Sequence, residues 1–201
     1  MTWDLELASR LEIAELRAKY CRAIDRCDLG LLLSVFWLDA TVNYGIYAGP
    51  AGTFAELTID AVRRSCQATM HFLGNALLEL DGDSACGETY VQAIHCLARP
   101  VDIGPLLADP ALQAGDAAIR GAPDAPCTFT VGARYLDRLT RRDGTWRIFH
   151  RAYVWDWCSI GPRNLVGAAT ARSALLSGRR DLSDASYALL KPAVPDANHP
   201  R

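Results

Sequence analysis

Cys127–Trp157 reads CTFTVGARYLDRLTRRDGTWRIFHRAYVWDW, and its layout decides the fold. Two long runs, Cys127–Thr140 and Thr145–Trp157, are rich in β-branched and aromatic residues and are joined by Asp143-Gly144, a dipeptide that favours a tight hairpin. Upstream, Met70–Leu80 is extended and apolar, Asp81-Gly82-Asp83 turns the chain, and Ala85–Leu97 returns with small and β-branched residues. Four strands in antiparallel succession are expected. The pairs are separated at 99–126 by a proline- and glycine-rich irregular insertion, with a short helical stretch at Leu112–Ile119.

The residues before this meander read as helices. Ser9-Arg-Leu-Glu12 has the form of a capping box and opens the periodic run Ile13, Leu16, Tyr20, Ile24, which predicts a helix over residues 9–26. Asp28 can cap a short second helix through Phe36, and Val42, Tyr44 and Ile46 then alternate as a first strand. Gly49-Pro-Ala-Gly52 is a turn, and Thr53-Phe-Ala-Glu56 is a second capping box before a helix reaching Thr69. Helices gathered before a meander predict an α+β fold: a curved antiparallel sheet wrapped around N-terminal helices to form a cone, a cystatin-like α+β barrel. Apolar cones suit small molecules. Residues 1–159 form this body. Residues 160–201, rich in Gly, Ser, Arg and Pro, read as a tail packed on the body or a neighbouring subunit through Tyr187, Leu189 and Leu190.

Composition narrows the function classes. The chain has 201 residues, 50% hydrophobic and 22% charged, with a net charge of −2, which excludes wholesale disorder and disfavours a nucleic-acid groove. No run approaches a membrane span, and the acidic amino terminus is unlike a signal peptide, so a cytoplasmic protein without nucleic-acid or membrane partners is expected. The seven cysteines include no C-x-x-C pair and read as small core residues in a reducing compartment. His71, His95 and Asp25 lack a compact ligand motif, so no metal is expected.

Several segments resemble the SnoaL-like family of the nuclear-transport-factor-2-like superfamily. They are Ala18-Lys-Tyr20-Cys-Arg-Ala-Ile-Asp25-Arg-Cys-Asp28, Met70-His71-Phe-Leu-Gly-Asn75, Leu80-Asp-Gly-Asp83 and Gly132-Ala-Arg134 through Trp146-Arg147-Ile, ending in Arg151 and Asp156-Trp157. The resemblance spans about residues 5–158. Relatives include scytalone dehydratase, bile-acid 7α-dehydratase and lindane dehydrochlorinase, so it implies a cofactor-free lyase built as a homotrimer around a small-molecule substrate. Ketosteroid isomerase and non-catalytic members share the fold, so fold alone does not give function.

The resemblance implies a general base at His71 and its carboxylate partner at Asp25. An imidazole suits proton transfer near neutrality, and a carboxylate on one ring nitrogen fixes the tautomer and supports the imidazolium. Read without the resemblance, His71 is a core histidine satisfied by a carbonyl, and Asp25 is a solvated carboxylate beside Arg22 or Arg26. Tyr20 reads both as a core aromatic and as a holder of substrate oxygen or water. It lies about 140° from Asp25 around an ideal helix, so both reach one cavity only if the helix end bends or the pocket wraps round it.

His95, on the returning strand with Val91 and Ala93, is a candidate acid or leaving-group donor. Arg134 matches a leaving-group arginine of the dehydrochlorinase, or forms a cross-strand ion pair. Asn43, Tyr44 and Asn75 are candidate polar liners, Trp155 and Trp157 candidate aromatic walls, and His150 reads as structural. The expected reaction is a dehydratase-type elimination on a hydrophobic, aromatic, hydroxylated molecule. Formaldehyde release from a diarylpropane-type diol, dehydrohalogenation, isomerisation and a non-catalytic binding or assembly module stand as alternatives.

Overall fold

The computed structural model describes residues 2–97, 126–162 and 178–190. The insertion, with the short helix expected at Leu112–Ile119, and the rest of the tail lie outside the described residues.

Helix α1 (Thr2–Asp25) begins seven residues before the capping box, so Ser9 is buried inside the helix and caps nothing. Leu5, Glu6 and Leu7 are good helix formers, and the Arg10–Glu6 pair at i,i+4 adds a little support. The helix ends in a Schellman motif: Cys27 adopts φ +53°, its N–H bonds the Ile24 carbonyl, and the Asp28 N–H bonds the Ala23 carbonyl. Asp28 then caps α2 (Leu29–Ser34), accepting from the Leu31 N–H at 3.0 Å, as its sequence position predicts.

Strand β1 (Phe36–Asn43) starts directly after α2, earlier than the alternation of Val42, Tyr44 and Ile46 suggests. Phe36 is drawn into the sheet opposite Ile148, whereas Tyr44 and Ile46 leave it at the Gly45 turn (φ +75°). After the short β2 (Ala48–Pro50), helix α3 (Ala51–Ser65) starts at Pro50 instead of Thr53 and ends four residues before Thr69. Proline suits a helix start, and Arg63 and Arg64 favour the carbonyl end.

The long strands are β3 (Cys66–Asp81), β4 (Ser84–Leu97), β5 (Cys127–Arg142) and β6 (Thr145–Pro162). Six strands form one sheet in the order β2-β1-β6-β5-β4-β3, antiparallel throughout except where β1 joins β6 in parallel. α1 and α3 pack into the concave side. The core joins Ile13, Tyr20 and Ile24 of α1 to Phe54 and Ile59 of α3 and to Phe129, Val131 and Tyr135 of β5. The curved sheet around helices is the expected α+β cone.

Two bulges in β6 control which side chains enter it. Arg138 pairs with His150 and Leu139 with Ile148, leaving Phe149 as the extra residue; Gly132 pairs with Trp157 and Ala133 with Trp155, leaving Asp156 extra. Each bulge reverses the inward face of the strand. β6 also runs to Pro162, past the expected start of the tail, because Ser159–Pro162 pair with Cys127–Thr130.

Of the tail, residues 178–190 lie against the corner between α1 and α2. Tyr187 donates to Asp28 at 2.7 Å, while Leu189 and Leu190 stay exposed. Of the cysteines, Cys21, Cys27, Cys66 and Cys127 are buried, Cys96 and Cys158 partly so, and Cys86 is exposed. Among the described residues, no helix is long and apolar enough to cross a membrane.

Candidate active site

The cone encloses a cavity of about 250 Å³ whose walls are largely aromatic: Tyr20, Tyr44, Phe54, Phe129, Tyr153 and Trp155. Tyr44 lies stacked between Phe54 (4.3 Å between centroids) and Tyr153 (4.8 Å). His71 and His95 face into the same space.

His71 and Asp25 meet through both ring and backbone. The His71 Nδ1 lies 2.7 Å from Asp25 Oδ1, and the His71 backbone N–H donates to Oδ2 at 3.0 Å. Both carboxylate oxygens are therefore fixed by one residue. The side chains are 6% and 13% exposed, so little water competes. Burial pushes the Asp25 carboxyl up, but the hydrogen bonds and charge interaction with His71 outweigh it, and the group lies below its ordinary value. An anionic Asp25 assigns the proton on Nδ1 to the ring and leaves Nε2 as the free nitrogen.

The pair answers the question of helix phase. Tyr20 lines the cavity, whereas Asp25 lines a separate groove on the outer side with Arg22, Asp28 and Tyr187; among the described residues His71 alone borders both. Asp25 needs no view of the cavity. It acts from behind the imidazole, and the helix stays regular through Asp25.

His95 pairs with Thr69, two residues before His71, so the two histidines are diagonal neighbours on one face. Their rings are 5.6 Å apart and nearly perpendicular, at 82°. Burial, the nearby His71 and, less strongly, Arg180 lower the His95 imidazole to about 4, against weaker help from the Phe129 backbone and Asp25. It is neutral near pH 7. In that state His95 would meet a leaving group as a hydrogen-bond donor and not as an imidazolium.

A second polar pole faces the dyad. The Tyr20 and Tyr44 hydroxyls are 2.6 Å apart, and burial raises both groups against the pull of Arg151, so both stay protonated donors. The Arg151 guanidinium lies 4.1 Å from the Tyr20 ring centre and 4.0 Å from that of Tyr135. Its Nε and Nη2 reach Asp137 at 2.6 and 2.8 Å, and both side chains are fully buried. Arg17 stands 3.8 Å from the same carboxylate. Sequence reading gave Arg151 and Asp137 no role. Asp137 was findable, since it shares the inward alternation of Tyr135 and Leu139; Arg151 was hidden by the bulge at Phe149.

The remaining candidates lie elsewhere. Arg134 sits outside the cone, its Nε and Nη2 on Asp156 (2.9 Å each) and its Nη1 on Glu88 (2.7 Å). It alternates with the inward Ala133 and Tyr135, so it cannot face the cavity and forms the cross-strand ion pair instead. Trp157 covers Gly132 on that outer face, because the Asp156 bulge separates it from the inward Trp155; a Cβ at position 132 would collide with its indole. Asn43 is exposed and accepts from the Gly45 N–H at 3.0 Å, closing the turn after β1. Asn75 is exposed, in the irregularity between Leu73 and Ala76. His150 bonds Thr41 at 2.8 Å on the outside. No three His, Cys, Asp or Glu side chains converge as a metal site among the described residues.

The chain has counterparts among known proteins. Residues 5–152 match the SnoaL-like domain. The chain belongs to that family. An uncharacterized protein of Mycobacterium tuberculosis is 26% identical to this SnoaL-like chain over 148 residues, 73% of the chain and 84% of the relative. Among solved structures, the hexachlorocyclohexane dehydrochlorinase LinA-type3 of Novosphingobium barchaimii is 23% identical, with a TM-score of 0.60 over 82% of this chain and 95% of that one. A protein of Novosphingobium aromaticivorans provisionally assigned as a scytalone dehydratase is 18% identical, with a TM-score of 0.61 over 84% and 99%. At these identities the likeness establishes a shared fold, one on which dehydratase-type and dehydrochlorinase proteins are built.

Proposed function

We propose that the protein is a cofactor-independent lyase that eliminates water from a flat, uncharged, oxygenated aromatic molecule. The observation that carries this reading is the 2.7 Å contact between His71 and Asp25, with the other face of His71 in an aromatic cavity. Nε2 of His71 takes a proton from a carbon beside the one that bears the hydroxyl. The C–H electrons form the new double bond, the C–O bond breaks, and hydroxide leaves. The imidazolium, supported by Asp25, returns its proton so that water departs and the base is restored.

The Tyr20 and Tyr44 hydroxyls, backed by Arg151, favour negative charge developing on a substrate oxygen. Among the described residues that line the cavity there is no lysine, arginine, aspartate or glutamate, which supports an uncharged ligand. Loss of formaldehyde or halide would use the same base. Assembly as a homotrimer belongs to this reading, through the exposed apolar outer face of the sheet.

The test is a panel of aromatic diols and secondary alcohols, read by mass spectrometry. Loss of water is expected, whereas loss of formaldehyde or halide would reassign the leaving group. His71→Ala and Asp25→Asn should each lower kcat by about 10²–10⁴-fold, the usual worth of general base catalysis. His150→Ala, on the outer surface, should leave it unchanged. Tight binding of an aromatic ligand without turnover, indifferent to Asp25→Asn, would replace the lyase with a binding module.

A further inference from the structure

Outside the cone, one side chain reaches three of the elements that carry the site. Arg180 belongs to the described part of the tail. Its Nη2 donates to the Val62 carbonyl at 2.7 Å and to Cys27 Sγ at 3.0 Å, and its Nη1 donates to the Cys66 carbonyl. Val62 and Cys66 line the cavity at the end of α3 and the start of β3. Cys27 is the left-handed residue that closes α1, two positions after Asp25. Helix carbonyl ends lack partners, and a planar guanidinium can serve several acceptors from one rigid group.

The neighbouring tail residues fasten to the same corner by different means. Arg22 donates to Ser186 at 2.8 Å, Arg26 lies 3.4 Å from Asp184, and Tyr187 donates to Asp28. These contacts stay on the outer surface of α1 and α2. Arg180 alone of this group reaches cavity-wall backbone. Burial and His71 do most to keep His95 neutral, and the positive charge of Arg180 adds to them.

We infer that Arg180 is a positioning residue of the site: by tying the ends of α1 and α3 to the start of β3, it holds Asp25 in register with the His71 ring. The distance between these groups is set where two helices end and one strand begins: α3 runs straight into β3 at Ser65–Cys66, and the end of α1 is joined to that junction by Arg63, whose Nη2 donates to the Cys27 carbonyl at 2.8 Å, and by Arg180. A displacement of about an ångström there is enough to cost a well-oriented site on the order of 10²-fold. This role rests on the His71–Asp25 site proposed above, but not on the identity of its reaction.

The experiment compares Arg180→Met, Arg180→Lys and Tyr187→Phe in the full-length protein by proton NMR of the imidazole N–H region. The wild type should show a downfield resonance from the His71 N–H bonded to Asp25, absent in Asp25→Ala. Arg180→Met should lose it to exchange, Arg180→Lys should show it broadened, and Tyr187→Phe, which loosens the same segment elsewhere, should keep it. An unchanged resonance in Arg180→Met overturns the inference, as does equal loss in Tyr187→Phe. If Arg180→Met does not fold, Arg180→Lys decides: the single lysine nitrogen cannot stand at both the Nη1 and Nη2 positions, so an unaltered resonance there overturns it. If a substrate is in hand, kcat should fall at least 10-fold in Arg180→Met with KM nearly unchanged. Failure to find any turnover would count against the lyase reading and leave the NMR result to judge Arg180.

Discussion

Protonating His95 sets two demands against each other: the unfolded imidazole takes a proton near its ordinary value of about 6.5, the folded one only near 4. The unfolded chain therefore binds the proton first as pH falls. The stability contributed by neutral His95 is complete above about pH 6.5 and is lost on descending towards 4. For a largely buried group the loss is on the order of 2–3 kcal/mol across that window. Urea denaturation at pH 7 and pH 4.5 should show it, and His95→Gln should flatten the difference. A wild-type curve that does not move would mean that His95 is solvated. Asp25 has its own window: its carboxyl is held below the ordinary value, so its stabilising bond to His71 persists as pH falls and is lost only as pH passes through that lowered value. The two residues thus constrain the site from opposite sides, one kept neutral and one kept charged. Neither state could be read from the sequence, because burial and neighbours set them.

At the scale of the element, the β5–β6 hairpin is the part most fully written in the sequence. Asp143 and Gly144 have φ of +50° and +78°, the two left-handed residues that a two-residue turn of matching twist requires. A side chain at Gly144 meets no neighbour, so Gly144→Val isolates the backbone cost, about 1–2 kcal/mol, measured as a shift in the urea midpoint. No shift would show that the turn relaxes freely. The Asp28 cap was equally legible, since the carboxylate acts within three residues. The capping boxes at Ser9 and Thr53 misled for a related reason: a capping box marks where a helix can start, while the actual starts depend on residues upstream. The bulges of β6 were not legible at all. Alternation predicts one inward face, and the insertion of Phe149 and Asp156 is a property of pairing with β5, so the inward place of Arg151, and which of Trp155 and Trp157 faces the cavity, emerged only from the sheet. The dyad lies between these extremes. Its two residues were named from a family pattern, but their contact depends on how the end of α1 meets β3.

For the whole molecule, the cone solves one problem and creates another. Its concave side is filled by α1, α3 and the aromatic cavity, which leaves the convex side of β3–β6 facing outwards with Phe72 (70% exposed), Trp157 (49%) and Tyr90 (48%) on neighbouring strands. A monomer seldom leaves a contiguous apolar surface of this kind uncovered. Arg134 lies among these rings and is paired with both Glu88 and Asp156, so its own charge stays met when the patch is covered. The curvature of the sheet disfavours a flat two-fold stack of such faces and suits a closed ring, in which each convex surface meets its neighbour at an angle. Light scattering on the purified protein should accordingly give three times the chain mass. Tyr90→Glu, which sets a carboxylate amid the patch beside Arg134, should shift the mass towards that of one chain. Because Tyr20, Tyr44, His71, His95 and Trp155 all come from a single chain, the dissociated variant should still bind an aromatic ligand in its cavity, with affinity within a few-fold of the wild type. A wild type that scatters as one chain at micromolar concentration would remove the trimer. A dissociated variant that no longer binds would instead show that the sheet needs its neighbours to keep the cone in shape.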